Sequence, residues 1–188
     1  MPSISQTLYV TSRGEWRQWL QTHYASAPEI WLVYPRRATG KPRIVYNDAV
    51  EEALCFGWID STVKTLDKDA TVQRFSPRNP RSSYSQQNIE RLRRLQAAGT
   101  LRPEIAESTQ DILAKGFIFP DDILAAIRAH PRAWEHYQTF SPSYQRIRVA
   151  FIEGARKRPA EFKKRLDYFI AMCEKNKLFG FGGIEAYY

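Results

Sequence analysis

Pro103, Pro131, Pro142 and Pro159 each stand at the head of a run with helical apolar spacing. Proline is tolerated in the first turn of a helix, where its missing N–H would have no partner, and is excluded from helix interiors. The four prolines therefore cut the second half of the chain into short helices, expected at 103–115, 121–129, 131–139, 142–157 and 159–177. No such punctuation governs the first half. There, "LYV" (8–10) reads as a short strand and "SRGE" (Ser12 to Glu15) as a capping box. Trp16, Trp19, Leu20 and His23 then fall on one helical face. "EIWLVY" (29–34) is a strand stopped by Pro35, and a helix capped by Asn47 is expected to reach Phe56, with Gly57 ending it.

A hairpin follows. "WIDSTVK" (58–64) and "TVQRFS" (71–76) flank the turn material at 67–69. With a three-residue turn, residue 60 faces 76 and residue 62 faces 74. That register puts Asp60, Lys64, Arg74, Ser76 and Arg78 on one face and sends Val63 and Phe75 to the core. A capping box of Ser83 and Gln86 is expected to open the next helix, which runs to about Ala98. The fold class is thus α+β and predominantly helical: a small antiparallel sheet with a hairpin near 58–76, then a helical C-terminal subdomain. Residues 1–98 form the mixed part and 99–188 the helical part, expected to pack together as one globular unit.

The stretch "RFSPRNPRSSYSQQN" (Arg74 to Asn88) holds three arginines, four serines, two asparagines and two prolines, and no acid. Residues 1–70 balance eight basic against eight acidic side chains; 71–130 carry nine against six, and 131–188 eleven against six. The net charge of +8 therefore belongs to the last two-thirds of the chain and favours anionic partners. One carboxylate, Asp60, can orient one arginine and leave others for a ligand. The helix start after the loop adds free N–H groups, a second anion-favouring feature. The alternative is a latch in which Asp60 and the serines satisfy the arginines.

"NDAVEEALCFGWIDS", "RFSPRNPRSSYSQQN", "FPDDI" and "FSPSYQR" together resemble the YdeI/OmpD-associated, bacteriocin-protection family along nearly the whole chain. The resemblance implies a small bacterial cytosolic protein with an α+β front half and a helical C-terminal region. It implies no reaction; the family name reflects association with envelope stress and antimicrobial resistance. Its pattern falls on Gly57, Trp58, Asp60, Arg78, Ser82, Ser85 and Asn88. Tyr84 stands where members often have Trp, and Asn79 where they often have a second basic residue. The expected ligand site is therefore Trp58, Asp60, Arg74, Arg78, Ser82, Tyr84, Ser85 and Asn88, holding a phosphate- or carboxylate-bearing small molecule.

Other chemistry finds less support. His23, His130 and His136 lack metal-ligand spacing, so no metal or other cofactor is expected. Asp121 and Asp122 complement a helix dipole. "FGFGG" (179–183) follows a helix and so has the wrong order for a nucleotide loop; the aromatic end at Tyr187 and Tyr188 reads as a tail packed on the body. Cys55 and Cys173 read as buried reduced thiols. No secretory leader and no apolar run of membrane-spanning length is recognised, which places the expectation in the cytoplasm without membrane insertion. Three alternatives to a binding protein stay open. One is an enzyme on the same site with Asp60 as base. Another is weak, non-specific nucleic-acid binding by the basic run "EGARKRPAEFKKR" (153–165). The third, suggested by the family name alone, is a protein-interaction module in stress resistance.

Overall fold

The computed structural model describes residues 3–180. Its elements are β1 (Thr7–Leu8), α1 (Arg13–His23), β2 (Ile30–Pro35), α2 (Tyr46–Cys55), β3 (Trp58–Thr65), β4 (Ala70–Pro77), α3 (Gln86–Ala97), α4 (Pro103–Ala114), α5 (Asp121–Arg128), α6 (Pro131–Thr139), α7 (Pro142–Glu153) and α8 (Pro159–Glu174). The fold is α+β and mostly helical, with one small sheet. The chain divides into two compact units. The first is Met1–Ser83 with Arg91–Asp111, and the second is Tyr84–Glu90 with Ile112–Tyr188.

In the first unit the sheet order is β1-β2-β4-β3, and it is mixed: β1 runs parallel to β2 while the other neighbours are antiparallel. Ser12 caps α1 by accepting from the Glu15 N–H at 3.3 Å, and Glu15 in turn accepts from the Thr11 N–H at 2.7 Å. Trp16 and Leu20 of α1 are fully buried. The Trp16 ring meets Phe75 of β4 edge-on at 5.5 Å, which locks this helix to the sheet. Trp19 stacks between Trp16 and the exposed ring of His23. Asn47 lies inside α2 rather than at its cap, and its Oδ1 accepts from Arg91 at 2.6 Å.

The hairpin register departs from the expected one for a physical reason. Near the turn the expectation holds: Thr65 pairs with Thr71, Lys64 with Val72 and Val63 with Gln73. Asp67 stabilises this turn by accepting from the Asp69 and Ala70 N–H groups. The register then shifts between Asp60 and Val63, where Ser61 and Thr62 oppose Arg74 alone, so that Asp60 pairs with Phe75 and Trp58 with Pro77. One extra residue in an edge strand is a β-bulge, and it changes which side chains share a face. Asp60 therefore joins Phe75 on the helix-covered face, away from Arg74. Phe75 is buried as expected, but Val63 is 57% exposed on the edge strand.

The second unit is helical over its long segment. Ser141 caps α7, accepting from the Tyr144 N–H at 3.1 Å. Its core joins Ile123 and Ile127 of α5, Ala133 and Tyr137 of α6, Tyr144, Val149 and Ile152 of α7, and Phe169, Ile170 and Cys173 of α8. Helix α7 stops at Glu153, four residues short of the expected end, and turns 154–157 deliver the chain to Pro159. Helix α8 stops at Glu174 rather than 177.

Gly57, at the turn from α2 into β3, has φ +71, and a Cβ there would lie 2.8 Å from Ile105 Cδ1. The left-handed conformation costs a non-glycine residue about 1–2 kcal/mol. Gly57→Ala is expected to lower the melting temperature of the first unit by about 5–10 °C. Calorimetry showing an unchanged melt would contradict this assignment.

Candidate functional site

The residues singled out in the sequence belong to both units. Trp58, Asp60, Arg74, Arg78 and Ser82 are in the first; Tyr84, Ser85 and Asn88 are in the second. Within the first unit their side chains go separate ways. Trp58 is 1% exposed and donates through Nε1 to the Tyr24 carbonyl at 3.0 Å, with its ring edge-on to Trp19. Arg74 pairs with Glu29, and Glu29 also accepts from Ser5 at 2.6 Å and from Trp31 Nε1 at 3.0 Å. Arg78 donates to the Asn79 carbonyl at 3.3 Å and to the Ser82 carbonyl, while Asn79 Oδ1 accepts from the Arg81 N–H at 2.9 Å. The arginine loop is thus held by bonds to its own backbone.

Asp60 heads a polar cluster on the helix-covered face. Its Oδ2 accepts from Tyr46 Oη at 2.9 Å and from Gln73 Nε2 at 2.6 Å. Burial pushes the Asp60 carboxyl above its ordinary value, opposed by the Tyr46 hydrogen bond and by the charge of Arg91. Burial also raises the Tyr34 and Tyr46 phenols, and the buried Tyr34 hydroxyl has no hydrogen-bond partner among the described residues.

The second unit contains a cavity of about 720 Å³. Its apolar wall comes from Ile147, Ala150 and Phe151 of α7, Tyr168 of α8, and Phe179 beyond it. Its polar wall comes from Ser85, Gln86 and Gln87 at the start of α3, and from Arg148, Glu161, Lys164 and Arg165. Ser85, not Ser83, caps α3, with its Oγ accepting from the Asn88 N–H at 3.3 Å. Of the eight residues expected from the sequence, Ser85 is the one that lines this cavity.

Arg148 decides the electrostatics of the cavity. It is 6% exposed, and its Nε has no hydrogen-bond partner among the described residues. Among the described residues no carboxylate is one of the main groups acting on its charge: Tyr144, Tyr168 and Cys173 favour it, and Arg165 opposes it. Desolvation lowers the Arg148 pKa from its ordinary value. The guanidinium lies 3.9 Å from the ring centroid of Phe179 and 5.0 Å from that of Phe151. A desolvated cation–π contact contributes about 2 kcal/mol, whereas removing a guanidinium from water costs several. The rings offset part of the penalty and leave the charge short of a counterion.

The surrounding parts are fixed. Tyr144 Oη donates to the Phe179 carbonyl at 2.9 Å and accepts from the Phe179 N–H at 2.8 Å, which clamps the Phe179 backbone over α7. The Phe179 ring meets Tyr168 edge-on at 4.9 Å. Arg165 is matched by Glu161 at 2.8 Å and lies 3.8 Å from the Phe151 centroid. Of the glycine-rich stretch 179–183, only Phe179 and Gly180 fall within the described residues; Tyr187 and Tyr188 lie outside them.

Sequence reasoning passed over Arg148, yet a signal existed. Tyr144, Arg148 and Ile152 follow at i, i+4 and i+8, so the arginine interrupts a buried stripe.

Two family models match the chain. One, described as a domain of unknown function (DUF8412), covers residues 8–108, and the other, described as bacteriocin-protection, YdeI or OmpD-associated, covers residues 116–176. No curated protein and no solved structure matches. No helix among the described residues is long and apolar enough to cross a membrane.

The Glu29 network gives a pH prediction. Hydrogen bonds from Ser5 and Arg74 hold the Glu29 carboxyl down to about 2. A depressed carboxyl contributes stability above its unfolded value, and that contribution is lost as pH falls toward the folded one. Acid unfolding of the parent should therefore steepen between about pH 4.5 and 2. Glu29→Gln should be less stable at pH 7 and lose part of that acid dependence. Parallel curves for the two proteins would contradict the role given to the pair.

Proposed function

We propose that this chain, which belongs to the YdeI/OmpD-associated, bacteriocin-protection family and carries the DUF8412 domain, binds a small anionic ligand on Arg148 in the cavity of its second unit. One observation carries the reading: a buried arginine, 6% exposed, whose Nε has no hydrogen-bond partner among the described residues, on the wall of a cavity. A cavity of about 720 Å³ is in the size range of small-molecule sites. The start of α3 at Ser85 adds a second feature favourable to anions. An anion in contact with Arg148 supplies the missing counter-charge, and low dielectric strengthens the pair.

The site expected from the sequence has weaker support in its original form. Arg74 already has Glu29, and the bulge separates Asp60 from Arg74. The basic run at 153–165 likewise spends much of its charge internally. Arg156 pairs with Asp122 and Glu153, Lys163 with Asp167 and Arg165 with Glu161. A pocket binder is therefore favoured over a surface that neutralises many phosphates.

Thermal-shift measurements at constant ionic strength test the proposal with phosphate, nucleotides, di-acids and monocarboxylates. A ligand at about a hundred times its Kd adds roughly 2.7 kcal/mol, or at least about 5 °C in a unit this size. Arg148→Met should abolish that shift while leaving the unliganded melt unchanged or higher, because an uncompensated buried charge is replaced by an apolar chain. A sharp drop in the unliganded melt, with no anion stabilising the parent, would make Arg148 a structural residue and overturn the proposal.

A further inference from the structure

The charges and surfaces around Arg148 narrow the ligand class, resting on the anion-binding reading above. Arg165 contributes little net charge to the interior because Glu161 pairs with it at 2.8 Å. Lys164 is exposed, and a charge open to solvent is screened. Among the described residues the interior therefore offers one unmatched buried cation, Arg148. A dianionic group such as a phosphate monoester would place its second charge in the same cavity as the Glu161 carboxylate. The remaining wall carries Ile147, Ala150, Phe151, Tyr168 and Phe179. A small hydrophilic anion would satisfy Arg148 and leave this apolar surface uncovered.

We infer that the ligand is a singly charged amphiphile: a carboxylate head on Arg148 with an aliphatic or aromatic body along Ile147, Phe151, Tyr168 and Phe179. The head suits a planar guanidinium, which matches two carboxylate oxygens at once. The body gains by apolar burial, which is non-directional and grows with each methylene. Phe179 serves both parts. One face of its ring is against the guanidinium, and its backbone is fixed by Tyr144, so the ring is placed before a ligand arrives. Such preorganisation lowers the ordering cost of binding.

The test is calorimetric titration of the full chain with hexanoate, octanoate and decanoate, all kept below their micelle concentrations. Decanol, decyltrimethylammonium and inorganic phosphate serve as matched probes. Affinity should rise about fourfold per methylene. Decanol and decyltrimethylammonium should bind at least tenfold more weakly than decanoate. Arg148→Met should bring decanoate down to the level of decanol, and Phe179→Ala should weaken every alkanoate. Phosphate binding as tightly as decanoate, with no dependence on chain length, would overturn the amphiphile class and leave anion binding standing. Equal affinity for decanol and decanoate would overturn the anion reading itself, and so would the absence of binding by any anion. The comparison of head groups on the parent decides the matter even if Arg148→Met fails to fold.

Discussion

A positive charge held inside a helical unit, with no carboxylate partner among the described residues, is the constraint around which that unit is arranged. Arg148 is on the buried stripe of α7, and the chain contains it with rings. Phe179 covers the guanidinium and Phe151 flanks it. Tyr144, one turn earlier on the same helix, grips the Phe179 backbone by two hydrogen bonds. These parts would be an unfavourable way to fill a core: an aliphatic side chain at position 148 would pack without a desolvation penalty. Their arrangement makes sense when the cavity beside them is filled by something that carries the counter-charge.

The carboxylates of the interior are treated differently, and the contrast is informative. Glu90 is 2% exposed and receives two bonds from Arg146, at 2.7 and 2.6 Å. Glu52 is held by both Arg13 and Arg17, and Glu51 by Arg13 and Arg94. In the first unit, the half-buried Asp60 takes hydrogen bonds from Tyr46 and Gln73. These pairs close on themselves and read as architecture. Arg148 contrasts with them and has a cavity next to it, and function is sought where such compensation is incomplete.

Much of the architecture was legible in the residues. The prolines marked the starts of α4, α6, α7 and α8 because proline's missing N–H is harmless only there. The turn chemistry of Asp67 fixed the hairpin end, and the register counted from that turn is correct as far as Val63. It failed beyond, because a bulge leaves no mark in alternation over so few residues; the extra residue at Ser61 and Thr62 moved Asp60 to the face of Phe75. The arginine loop drew attention by composition. Composition does not show that Arg78 and Asn79 would be engaged by neighbouring backbone, or that Glu29, 45 residues earlier, would meet Arg74. Arg148 was readable only by asking which charge interrupts an apolar stripe. Whether that charge has a partner is a tertiary fact.

The central claim is that the Arg148 guanidinium meets the head group of a bound monoanion, and the side-chain Nε–H signal of that one residue tests it most directly. In ¹⁵N-labelled protein the Arg148 Nε–H resonance can be assigned by its loss in Arg148→Lys. The account predicts that saturating decanoate moves this resonance and slows its exchange with water, as a buried donor gains an acceptor, while the Arg146 Nε–H, already bonded to Glu90, stays in place. An Arg148 signal that does not respond to decanoate or to any other anion, in protein whose remaining spectrum is intact, would contradict the account.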